Sequence, residues 1–214
     1  MILGTLERKL QQMFDNPALF VVYALIFVIA IGLHEWGHAF VADRCGDPTP
    51  RSQGRVTLNP LAHLDPMGTI AILFFGFGWG KPVMVQPTLF RNKRWDDIKV
   101  SGAGVAMNLL QALVYGFVFR VLAARGLLDE TSAKILAMGL GTNVMLMVFN
   151  LIPVGPLDGA SIVKNLLPLR QAYEYEQFNR SWGMLVMFAL LFTGAAGVIL
   201  IPVQIGAMTL AGMI

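Results

Sequence analysis

Two histidines four residues apart, with a glutamate beside the first, stand at residues 34 to 38: His34-Glu35-Trp36-Gly37-His38. On a helix, positions four apart share a face one turn apart. Both imidazoles can then close on one metal ion while Glu35 reaches a water held by that ion. This is the arrangement of a hydrolytic zinc site. The same pattern arises by chance on solvated helices, but here it follows residues 16–33, a stretch of 18 positions without a charged side chain. An ionisable residue at bilayer depth costs about 2.5–3.5 kcal/mol on insertion scales, and metal coordination would offset that cost.

A catalytic zinc usually takes three protein ligands and keeps a fourth position for water. His63 lies in a polar loop among Asn59, Pro60, Asp65 and Pro66, where a surface or loop-fixing role suits it better than ligation. Asp158 is the better third candidate. It follows the uncharged end of residues 135–157, inside Asn150-Leu-Ile-Pro-Val-Gly-Pro-Leu-Asp-Gly159. There Pro153, Pro156 and Gly159 enforce non-helical backbone that can turn a carboxylate inward. An aspartate in that place could equally cap the amphipathic stretch 160–167. The single cysteine, Cys45, forms neither an intramolecular disulfide nor a redox pair and reads as a small buried residue.

The elements that must carry these residues belong in a membrane. The chain has 214 residues, 56% hydrophobic and only 14% charged, proportions outside those of a soluble domain. Uncharged runs recur at 16–33, 66–80, 100–119, 135–157 and 181–214, and all but the second are long enough to span. Residues 66–80 would reach only about 22 Å as a helix against roughly 30 Å of hydrocarbon, so a re-entrant or tilted segment is expected there. Pro202 offers a break within the last run, and the residues leave open whether that run is one span or a hairpin. The N-terminal apolar stretch runs straight into the metal motif and lacks a small-residue cleavage site, so it is not read as a cleavable signal.

His34, His38 and Asp158 can share a metal only if they approach from one side of the bilayer, which a re-entrant 66–80 allows. The basic residues agree. Arg44, Arg51, Arg55, Lys81, Arg91, Lys93, Arg94, Lys99, Lys164, Arg170 and Arg180 then flank the site, 11 in all, against Arg8, Lys9, Arg120, Arg125 and Lys134, 5 in all, on the far side. The positive-inside rule places the site toward the cytoplasm. A net charge of +3 and a pI near 9.2 are explained by this topology; the basic residues are spread between spans with no recognition motif, and no nucleic-acid partner is expected.

Three blocks in order resemble the site-2 protease family of intramembrane zinc metalloproteases: Gly32-Leu-His-Glu-Trp-Gly-His-Ala39, Gly104-Val-Ala-Met-Asn108, and Asn143 to Asn150 followed by Leu-Ile-Pro-Val-Gly-Pro-Leu-Asp-Gly159. The resemblance implies one zinc on His34, His38 and Asp158, with Glu35 catalytic and a membrane-spanning helix of another protein as substrate. The family often has a proline where Gly155 stands and a glycine where Ala160 stands, and neither difference removes a ligand or an acid/base group. Amides at Asn108, Asn143 and Asn150 can hydrogen-bond a substrate backbone or an oxyanion, or merely bridge helices. The resemblance favours the substrate or oxyanion role for Asn108 and Asn150 and a structural one for Asn143. Arg125–Ser132 is too short for the extracytoplasmic peptide-binding domain that members often insert, so a single minimal-core domain is expected.

The expected fold is an α-helical polytopic membrane protein with about four crossing helices, a re-entrant segment and a small membrane-associated β element. The β element would come from the alternation at 54–58 and the proline-bounded run 81–87, whose exposed edge could hold an unwound substrate; loop packing at the interface would account for the same residues. The setting is a multi-pass protein of a prokaryotic cell membrane, with lipid and transmembrane substrates as partners and a homo-oligomer left open. A zinc transporter, or a zinc-binding membrane protein without proteolysis, is the alternative. Transport predicts ionisable groups along a path to both leaflets, whereas here they cluster near one, and a pair that only binds metal has no need of Glu35.

Overall fold

The computed structural model of the protein describes residues 16–75 and 78–214, with backbone alone at 72–75. Arg8 and Lys9 of the basic count, and residues 76 and 77 of the short apolar run, lie outside the described residues. Among the described residues, three helices are long and apolar enough to cross a membrane: α1, Pro17–Cys45; α4, Lys93–Ala124; and α5, Glu130–Asn150. Between the first two lie a short helix α2, Thr49–Ser52, and α3, Pro66–Phe75. After α5 come α6, Asp158–Leu166; α7, Leu169–Phe178; a π-helical turn, Asn179–Gly183; α8, Met184–Thr193; and α9, Gly197–Ala211.

The spans start and stop where local chemistry dictates. Asn16 caps α1 by accepting the Leu19 N–H at 3.0 Å, with Pro17 pre-set in the first turn, and Gly46 ends it at φ 108°, a left-handed conformation that glycine adopts without penalty. Asp129 and Ser132 form a reciprocal capping box at the start of α5. α1, α4 and α5 pack on one another, with Phe27, Ala30 and Ile31 against Leu146 and with Ala112 against Leu140 and Val144. Large apolar side chains such as Leu25, Ile29, Leu113 and Phe117 point outward, while Asn108 and Asn143 are fully enclosed. Apolar outside and amide inside is the pattern of helices that meet in lipid.

α3 spans 10 residues, about 15 Å, half of what a crossing needs. The chain then returns to its starting point. Leu64 and Gly80 form an antiparallel bridge, the Lys81 N–H donates to the His63 carbonyl at 2.8 Å, and a side chain at Gly68 would collide with the Trp79 backbone. Ends that meet in this way are what a re-entrant hairpin requires. The helical stretch Leu169–Thr193, which runs through α7, the π-helical turn and α8, is bent by 65° from α9 at a short break. The break falls at Gly194, φ 76°, and not at Pro202, which sits inside α9. Arg120 of α4 donates to the Leu210 and Ala211 carbonyls at the end of α9. Arg120 is 20 residues beyond Val100, about 30 Å along α4, so α9 finishes at the end of the bundle away from His38.

The expected β element is not present: no strand occurs among the described residues, and Leu64–Gly80 is an isolated bridge. Residues 81–86 form no ladder and run into a 3-10 turn at Pro87–Leu89. Pro82 and Pro87 lack N–H groups, and the N–H groups of Lys81, Val83 and Gln86 go to the His63 carbonyl, the Glu35 carboxylate and the Asp47 carboxylate instead. Residues 54–58 are turn and bend.

Candidate metal centre

His34 and His38 lie one turn apart on the buried face of α1, rings at 4.6 Å and 85° to each other, with their Nε2 atoms 3.0 Å apart. Each Nδ1 has a partner on α4. His34 Nδ1 is 2.6 Å from Asn108 Oδ1, and His38 Nδ1 is 2.7 Å from the Val100 carbonyl. The orientation of the Asn108 amide follows from its other contacts, since Nδ2 donates to the Ala30 carbonyl at 3.3 Å and to Asn143 Oδ1 at 3.0 Å. Asn143 Nδ2 donates in turn to the Gly139 carbonyl at 2.9 Å. Both imidazoles therefore donate from Nδ1 to an oxygen, and in the neutral rings both Nε2 lone pairs face the same point.

Asp158 faces that point too. Its Oδ2 lies 3.3 Å from His34 Nε2 and its Oδ1 3.4 Å from His38 Nε2. Oδ2 is buried without a hydrogen-bond partner, so the approach to His34 is electrostatic crowding and not a hydrogen bond. Ligand atoms of the three side chains all lie within 4.8 Å of one another. Two lone pairs and a carboxylate aimed at one another in a buried place repel unless a cation lies between them, and the donor set, two imidazoles and a carboxylate, suits a tetrahedral ion with ligands at about 2.0–2.2 Å. Gly104 of α4 supplies the room: a Cβ there would come 2.4 Å from His38 Nε2 and 2.6 Å from His34 Cε1. The residues fit zinc.

Asp158 is the first residue of α6, but the N-cap is Leu157 and no side chain caps the helix, so the capping alternative is not seen. The turn before it is fixed from α7 and the π-helical turn: Tyr175 OH donates to the Pro153 carbonyl at 2.7 Å, and the Gly155 N–H donates to Asn179 Oδ1 at 2.6 Å. Gly159 is required because a Cβ there would meet the Leu151 carbonyl at 2.3 Å. α4 holds the far end of α6. Asn165 Nδ2 donates to Asp97 at 2.6 Å, and Arg94 donates to the Asn165 and Leu167 carbonyls.

The other residues singled out in the sequence divide clearly. Glu35 is half-buried beside the cluster, and its Oε2 accepts the Val83 N–H at 3.0 Å. Asn108 has both ends of its amide committed to protein groups, leaving no donor free for a substrate oxygen in this structure. Asn150 donates back to the Leu146 carbonyl of its own helix at 3.0 Å. His63 is fully buried, not at the surface: Nε2 donates to the Thr57 carbonyl at 2.9 Å, and Nδ1 faces Arg55 Nη2 at 3.4 Å. Burial pushes its pKa down, so it serves as a neutral loop anchor. Cys45 is buried in an apolar cluster with Ala42, Phe90 and Val100. Gly37 permits close helix approach, its missing Cβ facing the Ala103 carbonyl at 3.0 Å. The sequence reading missed the Val100 carbonyl and the Val83 N–H, for which backbone leaves no residue-type signal. It also missed Asp97 and Arg55, whose charges resemble ordinary loop charges.

Comparison with known proteins bears on this centre. The family model described as peptidase family M50 matches residues 122–194. The chain is 35% identical over 192 residues to a Bacillus subtilis protein named "Putative zinc metalloprotease YwhC", covering 87% of each chain. It is 32% identical over 187 residues to Rip2 of Mycolicibacterium smegmatis, which carries the same description, covering 82% of this chain and 68% of that one. Rip2 of Mycobacterium tuberculosis is 31% identical over 180 residues, covering 79% and 66%. No solved structure matches the chain.

Proposed function

The chain belongs to peptidase family M50, the site-2 protease family of zinc metallopeptidases, and from that premise we propose that His34, His38 and Asp158 hold its one zinc, that Glu35 is the catalytic carboxylate, and that the peptide bonds cut lie within or near transmembrane helices of other membrane proteins. The observation that carries this reading is the convergence of two imidazole lone pairs and a partnerless carboxylate oxygen inside a bundle of membrane-length helices. Bound zinc supplies a water acidic enough to lose a proton near neutral pH, and a Lewis acid for the scissile carbonyl.

The protein groups do the rest. Asn108 and the Val100 carbonyl hold the two imidazoles in the tautomer that ligation needs. Glu35 follows His34 in the chain and is outside the three-residue cluster, so its carboxylate is not spent on ligation. With Oε2 fixed by the Val83 N–H, Oε1 is the oxygen placed to take the proton of the attacking water and to return it to the leaving amine. The 11 basic residues in the segments assigned to the site's side, against 5 in those assigned to the other, favour a site open to the cytoplasm of a prokaryotic cell.

The test separates binding from chemistry. Glu35→Gln should keep zinc near one per chain while cleavage of a transmembrane substrate falls by about 10²–10⁴-fold, the usual worth of a general acid/base. Purified Glu35→Gln protein that cuts at the wild-type rate would remove the assignment.

A further inference from the structure

A buried charge lies beside the metal centre and outside its ligand set. Arg55 is 4% exposed, and no carboxylate is paired with it among the described residues. Its Nε has no hydrogen-bond partner among the described residues. Burial pulls the guanidinium pKa down, and the charge of Glu35 opposes that shift. A guanidinium enclosed on such terms is costly unless its hydrogen bonds fix something of consequence.

What it fixes is backbone. Its Nη atoms donate to the carbonyls of Lys81 and, at 3.3 Å, Pro82. On the peptide before these, the Lys81 N–H donates to the His63 carbonyl, and Gly80 bridges to Leu64. Gly80 must be bare, because a Cβ would sit 2.5 Å from Ile31 Cγ2 and 3.3 Å from Glu35 Cγ. On α1, Gly32 lets Pro60 seat directly on the helix, a Cβ there coming 2.8 Å from Pro60 Cβ. The chain from 80 to 82 is thereby held against the turn of α1 that carries Glu35. The next N–H along it, that of Val83, is the one donated to Glu35 Oε2 at 3.0 Å, and Glu35 Oε1 has no hydrogen-bond partner among the described residues.

We propose that Arg55 is a positioning residue for the reaction: by gripping the carbonyls of Lys81 and Pro82 it aims the Val83 N–H at Glu35, which fixes one carboxylate oxygen and presents the other to the water. This rests on Glu35 being the catalytic carboxylate. A glutamate has three rotatable bonds, and displacing a reacting group by about 1 Å costs on the order of 10²-fold in rate. Arg55 acts through backbone and touches neither substrate nor metal ligand, so its loss should appear in turnover and leave zinc binding in place.

The experiment uses the purified full chain in detergent, with Arg55→Gln, Val83→Pro and the double variant compared on one transmembrane substrate. Val83→Pro deletes the N–H that Glu35 accepts. Each single variant should hold zinc near one per chain, keep KM within about twofold and lose kcat by about 10- to 100-fold, and the double should lose no more than the worse single, because both break one chain of contacts. In zinc-free protein, amide hydrogen exchange at Val83 should be faster in Arg55→Gln than in the wild type. Wild-type kcat in either single variant, losses that multiply in the double, or zinc lost together with activity would overturn the proposal. If Arg55→Gln does not fold, Arg55→Lys keeps the charge without the two-pronged grip, and wild-type kcat in it and in Val83→Pro overturns the proposal equally. Glu35→Gln alongside separates the two levels. Full activity there removes the catalytic assignment and the clamp with it, whereas an inactive Glu35→Gln beside wild-type Arg55→Gln and Val83→Pro removes the clamp alone.

Discussion

Replacing Gly104 by alanine adds one methyl group, and the structure assigns it a large effect on metal and a small one on fold. The new Cβ would lie 2.4 Å from His38 Nε2 and 2.6 Å from both His34 Cε1 and His38 Cε1. Non-bonded carbon contacts settle at about 3.5–4.0 Å, so the rings must retreat by roughly 1 Å. They are not free to do so, since each Nδ1 is tied to α4, one at 2.6 Å and the other at 2.7 Å. Zinc–ligand distances tolerate only about 0.2 Å. A displacement several times that size should weaken zinc at least about 100-fold, which is about 2.8 kcal/mol at the usual 1.4 kcal/mol per factor of ten. Overpacking elsewhere in a core costs about 1–3 kcal/mol, and the helix preference for alanine over glycine returns about 0.5–1 kcal/mol, so the helical fold should survive. Chelator competition measures the affinity and circular dichroism checks the fold. Gly102→Ala is the control, because a Cβ there meets nothing within 4 Å, and it should bind zinc as the wild type does. A folded Gly104→Ala protein with wild-type zinc affinity would show that the metal is held elsewhere.

Asp158→Ala should abolish stoichiometric zinc, whereas His63→Ala should leave zinc content unchanged and lower stability by about 1–3 kcal/mol, the cost of stranding buried partners such as the Thr57 carbonyl; metal analysis of the two purified variants decides, and the reverse result overturns the ligand set. Asn108→Leu removes the acceptor at His34 Nδ1 and should weaken zinc by about 10- to 100-fold, while Asn108→Asp keeps that acceptor and should hold zinc more tightly than Asn108→Leu; equal affinities in chelator competition would mean that Asn108 does not set the tautomer. In a Cys45→Ser background, cysteines at Ser52 and Gln171 should react with a membrane-impermeant thiol reagent only once the cytoplasmic face is opened, and one at Thr131 should react in intact cells. Labelling of Ser52 and Gln171 from opposite sides would mean that 66–80 crosses the bilayer.

The two histidines were legible because their signal is residue type at helical spacing, Asp158 less directly, through Pro153, Pro156 and Gly159 around it, and the spans because lipid imposes length and polarity on whole runs of sequence. The β element shows where such signals mislead. The alternation at 81–87 is physically present, with Val83, Val85 and Pro87 half-buried and Pro82, Met84 and Gln86 exposed. It records a chain laid against helices, and three of its N–H groups, those of Lys81, Val83 and Gln86, are taken by the His63 carbonyl, Glu35 and Asp47, so they are not offered to a partner strand. Side-chain period reports which face is covered and says nothing of where the backbone hydrogen bonds go.

Asn108 shows the same limit from the other direction. Its type and burial were legible, but its contact with His34 depends on the pairing of two helices distant in sequence. That pairing has an order. His34 meets Asn108, His38 meets the Val100 carbonyl, and Gly104 lies between them against both rings, so advancing one turn along α1 corresponds to retreating along α4, as antiparallel neighbours must. The glycine and asparagine of α4 stand one turn apart, as the two histidines do, with the glycine making space at the metal face and the asparagine gripping a ring from behind. Sliding either helix by one residue, about 1.5 Å, would therefore spoil the room and the grip together. The close seat of Gly37 on the Ala103 carbonyl, made by a residue that ligates nothing, thus serves the metal centre by locking α1 and α4 in the one alignment that satisfies both.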